Sequence, residues 1–311
     1  MSTQTTTFPH TGRWLALAQL IRLPNVFTAW ADICLAGLAI GIWPDLLIPF
    51  LLLLLASTFL YWAGMVWNDY FDVEQDRRER PFRPLPSGKI SLGSAAAIGI
   101  CLLLAGLACA AVSGSDGFQP GALIIASCLA ANILFYDAWL KRTWAGPIAM
   151  GACRFLNVLL GLSLAPAGIE GWDILLALVV GIYIGGVTWF ARKEASGSDP
   201  RFLLAAAGVM LTGLLLSLAV PAAANAAGLP HSTSPLFPYL VAGLGFYVGF
   251  PVARAIENPS PNRVQAAVKQ AVLGLILLDA VLATALAGTL GILLALLLVP
   301  ALYLGRWVYS T

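Results

Sequence analysis

The chain has 311 residues, of which 59% are hydrophobic and only 10% charged, with a formal net charge of +2. A soluble domain carries about 25% charged residues, so the composition excludes one and predicts an all-α, polytopic membrane protein. The small net charge leaves no footprint for nucleic acid. The five cysteines are odd in number and fall within apolar runs, which argues against a disulfide framework or a zinc site.

The first twelve residues form a polar, Ser/Thr-rich tail that lacks the charged start of a cleavable signal. Apolar runs of membrane-spanning length follow at about 15–42, 46–68, 91–113, 120–140, 145–166, 172–191, 201–221, 236–255, 265–286 and 288–308. The last is an extra C-terminal helix, and if it is half of a broken hairpin the count is nine rather than ten. With ten spans and the N-terminus in the cytoplasm, all 17 Lys and Arg residues fall on one side of the membrane. That is the positive-inside pattern, and it favours ten. The expectation is one transmembrane domain over residues 1–311, set in a bacterial inner membrane among its lipids. Its helices would form a closed bundle around a central apolar cavity. The loops after spans two, four and six would meet at a polar cytoplasmic mouth.

Charge concentrates in one stretch, Asn68–Ser91, at the end of the second span. Asn68, Asp72 and Asp76 recur every fourth residue. On a continuous helix each step advances only about 40°, so the three oxygen-bearing side chains share a face. Carboxylates stacked in this way repel unless a cation lies between them. A hard ion such as Mg²⁺ takes oxygen ligands and bridges carboxylates to phosphates. The basic residues that follow, Arg77, Arg78, Arg80, Arg83 and Lys89, suit the oxygens of a diphosphate. Asp69 points about 100° away from the shared face and is expected in a supporting position. Two acids, Asp32 and Asp279, lie deep within spans one and nine. They are read either as packed, hydrogen-bonded groups or as contacts for a ligand.

The pattern Asn68-Asp-x-x-Asp72-x-x-x-Asp76, followed by Arg83-Pro-Leu-Pro-Ser-Gly, resembles the first aspartate-rich signature of the UbiA superfamily of intramembrane prenyltransferases. The resemblance implies Mg²⁺-dependent transfer of an isoprenyl group from a prenyl diphosphate to a small aromatic or polar acceptor. It assigns metal binding to Asn68, Asp72 and Asp76. Arg22-Leu-Pro-Asn25 resembles the family's first-helix motif, and Tyr136 with Lys141 resembles its fourth-helix segment. Arg154 and Asn157 sit one helical turn apart just inside span five. By resemblance, Lys141 joins Asn68, Asp72 and Asp76 in catalysis. Arg22, Asn25, Arg77, Arg83, Tyr136, Arg154, Asn157, Arg192 and Lys193 bind substrate. The family's second signature, D-x-x-x-D, is altered here: Glu194 stands for the first Asp as a metal ligand, Ser198 for the second, and Asp199 falls one residue late. This altered form is similar to the UbiA-like branch of bacterial ebo-type biosynthetic clusters. Tyr61, Trp62, Tyr70, Phe71, Tyr136 and Trp189 are candidates to shield an allylic cation. A phosphatase with related R-P and P-S-G elements is excluded, because His10 and His231 lie in the tail and an outside loop. The remaining alternative is a membrane protein of this fold that binds or transports lipid without the chemistry.

Overall fold

The computed structural model describes residues 12–41, 45–192, 199–228 and 233–308. The polar tail, apart from Gly12, lies outside the described residues, as do Lys193, Glu194 and Ser198. The described residues are helical throughout, with no strand beyond one isolated bridge between Gly114 and Gly117. In chain order the helices are α1 (Arg13–Leu20), α2 (Val26–Ile40), α3 (Leu47–Phe71), α4 (Val73–Glu79), α5 (Leu92–Ala111), α6 (Pro120–Ala138) and α7 (Gly146–Leu162). They continue with α8 (Gly171–Ala191), α9 (Pro200–Ser217), α10 (Val220–Ala226), α11 (Phe237–Glu257), α12 (Pro261–Leu286) and α13 (Leu298–Gly305).

Local chemistry sets many of the boundaries. Pro opens α6, α9 and α12, where its missing N–H costs nothing. The Ser91 hydroxyl caps α5 by accepting from the Ser94 amide, and Glu170 and Asp173 form a reciprocal capping box on α8. Asp199, which falls one residue late for the second signature, caps α9 by accepting from the Arg201 amide at 2.9 Å.

Each expected span has a helical counterpart. Among the described residues, 9 helices are long and apolar enough to cross a membrane, and the fifth expected span, α7, is shorter at 17 residues. At 1.5 Å per residue α7 extends about 26 Å, just under the thickness of a bilayer core. The protein is an integral membrane protein.

Two expectations are corrected. The first span is not one helix over 15–42: it breaks after α1, and Arg22 leads a 3-10 turn over Leu23–Asn25 into α2. Pro24 is the reason, since it disfavours helical backbone in the residue before it and removes an N–H from the ladder. The helix carrying the Asn68 motif is not continuous either. It ends at Phe71, and Asp72 (φ −95°, ψ 2°) joins α3 to α4. The C-terminal segment is helical as expected, a 3-10 run over Gly288–Leu297 that continues into α13.

The helices close into a ring. α3 packs on α5 and α6, α6 on α7, α7 on α8, α8 on α9, α9 on α11 and α11 on α12, and α12 returns to α2. Two apolar cores result, one centred on α8, α9, α11 and α12 and the other on α3, α5 and α6. Helices α2 and α7 stand between them. α7 and α8 approach through glycine: a Cβ on Gly151 would lie 2.6 Å from the Gly181 carbonyl oxygen. Gly151→Leu is therefore expected to cost about 1–3 kcal/mol through overpacking. A lowered unfolding midpoint of the detergent-purified protein would register it, and an unchanged midpoint would mean the helices do not meet there.

Candidate active site

The cavity is off-centre in the ring, enclosed by α2, α3, α6 and α7, with a volume of about 170 Å³. Its middle is apolar, walled by Gly64, Met65, Leu129, Ile133 and Met150. Polar groups gather at its two ends. Arg22, Asn68, Tyr136 and Asp137 stand at the mouth, and Ser57, Tyr61, Arg154 and Asn157 stand at the inner end.

The mouth is a chain of ion pairs that begins at Arg22. It is the only non-glycine residue with positive φ (47°) among the described residues. A left-handed backbone costs an L-residue about 1–2 kcal/mol, and such strain persists where the surroundings over-determine it. Here they do: Arg22 Nη2 donates to Asp69 Oδ1 at 3.0 Å and to Asn68 Oδ1 at 3.2 Å. Burial works against the Arg22 charge, but Asp69 beside it outweighs that and holds the guanidinium above its ordinary pKa. Arg83 lies under the mouth, where its Nη1 donates to Asp76 Oδ2 at 2.8 Å and approaches Asp69 Oδ1 at 3.5 Å. Its loop is held down by Leu85 and Ile90, which pack with Ala16, Leu20, Val66, Val73 and Ala95.

Loops two and four meet at the mouth, and Arg192, the last described residue before loop six, reaches loop four. Lys141 Nζ reaches Asp72 Oδ2 at 2.7 Å and Arg142 Nη2 reaches Asp72 Oδ1 at 3.2 Å. Arg192 donates to the Thr143 carbonyl at 2.5 Å.

The sequence-derived site residues divide by position. Arg22, Asn68, Tyr136, Arg154 and Asn157 line the cavity, and Asp72 and Lys141 lie at its rim. Asn25 sits beside the Tyr61 side chain. Asp76 is 3% exposed and Arg83 7%, so both are buried beneath the mouth and engaged with each other. The shared face of Asn68, Asp72 and Asp76 is kept only in part: Asn68 and Asp72 both face the end of α6, meeting Asp137 and Lys141, while Asp76 turns to Arg83. Arg77 is also displaced, facing solvent and paired with Glu74 one turn earlier on α4. Asp69 is more central than its angle on the helix implies, being 4% exposed and held by two arginines.

Asp137 was not singled out from sequence. It lines the cavity at 3% exposure and accepts from Asn68 Nδ2 at 3.0 Å. An acid inside an otherwise apolar helix was the available signal. Of the aromatic candidates, Tyr61 and Tyr136 reach the cavity. Tyr70 and Phe71 pack with Trp67, and Trp189 packs edge-on with Phe202. Trp62 sits edge-on to Phe59.

The inner end is joined to the two deep acids. Arg154 Nη1 donates to Asp32 Oδ2 at 3.2 Å and its Nη2 donates to Thr28 Oγ1 at 2.6 Å. Asn157 Nδ2 donates to Asp32 Oδ2 at 2.8 Å and to the Ala29 carbonyl at 3.0 Å, and its Oδ1 accepts from Ser57 at 2.7 Å. Asp279 is fully buried against Asp32, a carboxyl-to-carboxyl contact that needs a shared proton.

The site is thus an apolar cavity within a helical membrane bundle, with charged groups gathered at its mouth. The chain belongs to the UbiA prenyltransferase family, whose model matches residues 25–269. Among similar curated proteins is the digeranylgeranylglyceryl phosphate synthase of Saccharolobus solfataricus, 33% identical over 144 residues, or 46% of this chain and 49% of that protein. The synthase of the same name from Methanoculleus marisnigri is 32% identical over 189 residues, or 58% and 65% of the two chains. The chain thus spans about half the length of the first of these relatives. A solved structure concerning digeranylgeranylglyceryl phosphate synthase in membranes aligns with a TM-score of 0.63 at 22% identity, covering 88% of this chain and 99% of that one. A UbiA homologue from Archaeoglobus fulgidus bound to GPP and Mg²⁺ aligns at 0.57 and 18% identity, covering 86% and 99%. These structures share the fold.

Proposed function

We propose that the protein transfers an isoprenyl group from a prenyl diphosphate to a small acceptor within the membrane. The observation that carries this reading is the junction of an apolar cavity with a mouth where Arg22, Asn68, Asp72, Asp137 and Lys141 converge. The names of the curated relatives and the GPP and Mg²⁺ bound by the Archaeoglobus fulgidus homologue support it.

The donor set at the mouth suits magnesium. Asn68 and Asp72 offer hard oxygens at the rim. The described residues hold no group of three His, Cys, Asp or Glu side chains able to grip a metal alone. Mg²⁺ is ordinarily held by one or two carboxylates together with substrate phosphate oxygens and water, so this sparse set fits. Asn68 and Asp72 would hold the ion, with Asp76 and Asp69 supporting them through Arg83 and Arg22. Bound there, the ion would neutralise charge on the departing diphosphate.

The chain's own residues do the rest. Lys141, Arg142 and Arg22 bring fixed positive charge to the oxygens where the leaving group becomes more negative, which is the preorganised stabilisation that lowers such barriers most. The diphosphate would exchange into pairs that Asp72 and Asp69 now satisfy. Tyr61 and Tyr136 line the cavity, where an aromatic ring suits an allylic carbon that becomes cationic as its C–O bond breaks; one side of the Tyr61 ring is taken by Arg154. The apolar wall excludes water that would otherwise capture that cation. The placement of Lys and Arg supports a mouth on the cytoplasmic side of the membrane.

The test is product formation by the full chain in lipid vesicles. Labelled prenyl diphosphates of graded length, Mg²⁺ and a panel of acceptors should yield prenylated lipids identified by mass. Chelation with EDTA should abolish the product and restored Mg²⁺ should recover it. Product formation indifferent to EDTA would refute the metal assignment, and no product with any donor would refute the function.

A further inference from the structure

Prenyl transfer as proposed above accounts for the mouth and leaves the acceptor undefined. The inner end of the cavity constrains it. Arg154 is the one cation there among the described residues, and its charge already faces Asp32 at 3.2 Å. Asp279 stands against Asp32, a carboxyl-to-carboxyl hydrogen bond that needs a shared proton, and makes no ion pair of its own. One guanidinium is therefore set against two carboxyl groups, and no positive charge remains to balance an anion. A carboxylate or phosphate drawn to Arg154 would lie within a few ångströms of Asp32 in a medium where like charges are poorly screened.

Hydrogen-bonding capacity does remain. A guanidinium carries five N–H donors, and Arg154 commits one to Asp32 and one to Thr28. The Ser57 hydroxyl spends its hydrogen on Asn157 and keeps its lone pairs. Tyr61, whose hydroxyl bonds to Asn25, places its ring 5.9 Å from the Arg154 guanidinium carbon. Donors at Arg154 beside the lone pairs of Ser57 match a group that both accepts and donates, and a hydroxyl is the smallest uncharged one an acceptor can carry.

We propose that the inner end of the cavity binds the acceptor through an uncharged hydroxyl-bearing group, and that Asp32, by neutralising Arg154, excludes acceptors bearing an anion there. The inference rests on the prenyl-transfer reading and deepens it. Polyols and phenols share the chemistry, so both enter the test.

The experiment uses the full chain in vesicles with Mg²⁺, labelled geranylgeranyl diphosphate and matched acceptors that differ in charge. One pair is glycerol and glycerol 1-phosphate; the other is hydroquinone and 4-hydroxybenzoate. The neutral member of at least one pair should have a kcat/KM higher by about tenfold or more, given the cost of like-charge contact. The pair that responds tells polyol from phenol. Asp32→Asn exposes the Arg154 charge, and Asp279→Asn is added so that the second carboxyl cannot take over the pairing. This double variant should narrow or reverse the preference by raising use of the anionic member. Ser57→Ala should raise the acceptor KM and leave the donor KM unchanged. Preference of the wild-type protein for the anionic member in both pairs overturns the inference and leaves prenyl transfer standing. No product with any acceptor overturns both. The wild-type comparison decides the matter even if the double variant fails to fold.

Discussion

Asp72→Asn is expected to lower prenylated product by about two to three orders of magnitude, the usual cost of removing one preorganised electrostatic contact from a reacting centre. Asp72 stands where α3 ends and α4 begins, and it faces the basic residues of loop four across 2.7 and 3.2 Å. The amide is nearly the same size but carries no charge. It would bind a divalent ion less strongly and would no longer organise Lys141 and Arg142 around the diphosphate. The loss should appear in kcat and should be only partly relieved by excess Mg²⁺. The variant should purify and melt like the parent, because the Asp72 side chain is 20% exposed and its lost pairs lie at the rim. Wild-type turnover by this variant would remove Asp72 from the chemistry.

Arg154→Leu is expected to destabilise the fold by about 3–5 kcal/mol, the range for removing one partner of a buried ion pair. Asp32 is fully buried, and without the guanidinium it must either stay charged or take up a proton, each at a cost. Replacing both partners is different, because the cost of the stranded charge vanishes with the charge. Asp32→Asn combined with Arg154→Leu should therefore melt above Arg154→Leu alone, and a double-mutant cycle would report a favourable coupling. If the double substitution is no better than the sum of the singles, the two residues are not a pair.

The apolar runs carry nearly all the architecture. Spans of that length admit little besides helices, because no water is present to satisfy open backbone groups. What periodicity hides is the local break. Leu15–Ile40 reads as one greasy segment, yet Pro24 breaks it, and the break is what aims Arg22 inward. The same holds at Asp72, where angular reasoning assumed one continuous axis for Asn68, Asp72 and Asp76. Asp69 illustrates the remaining gap. Its weight comes from Arg22, 47 positions away, and from Arg83 in the following loop, and no local pattern encodes those meetings. Asp137 was visible as an isolated acid, but its bond to Asn68 joins two different helices. Lys141 and Tyr136 were found through their resemblance to a motif, and the structure supplies the partners.

The return of α12 onto α2 has a consequence for how the molecule is made. Asp32 and Asp279 are separated by almost the whole chain, yet they share one polar cluster. Translation delivers helices in order, N-terminal first. Helices α2, α3, α6 and α7 reach the bilayer early with Asp32 and Arg154 already among them, but Asp279 and the back of α2 wait for nearly the last segment. Until it arrives, a partly built barrel with an open seam must survive in lipid, its early acid already neutralised by an early arginine. The partner that neutralises Asp32 therefore comes from α7 and not from the late α12, and a ribosome stalled before α12 should leave a membrane-inserted but loosely closed intermediate.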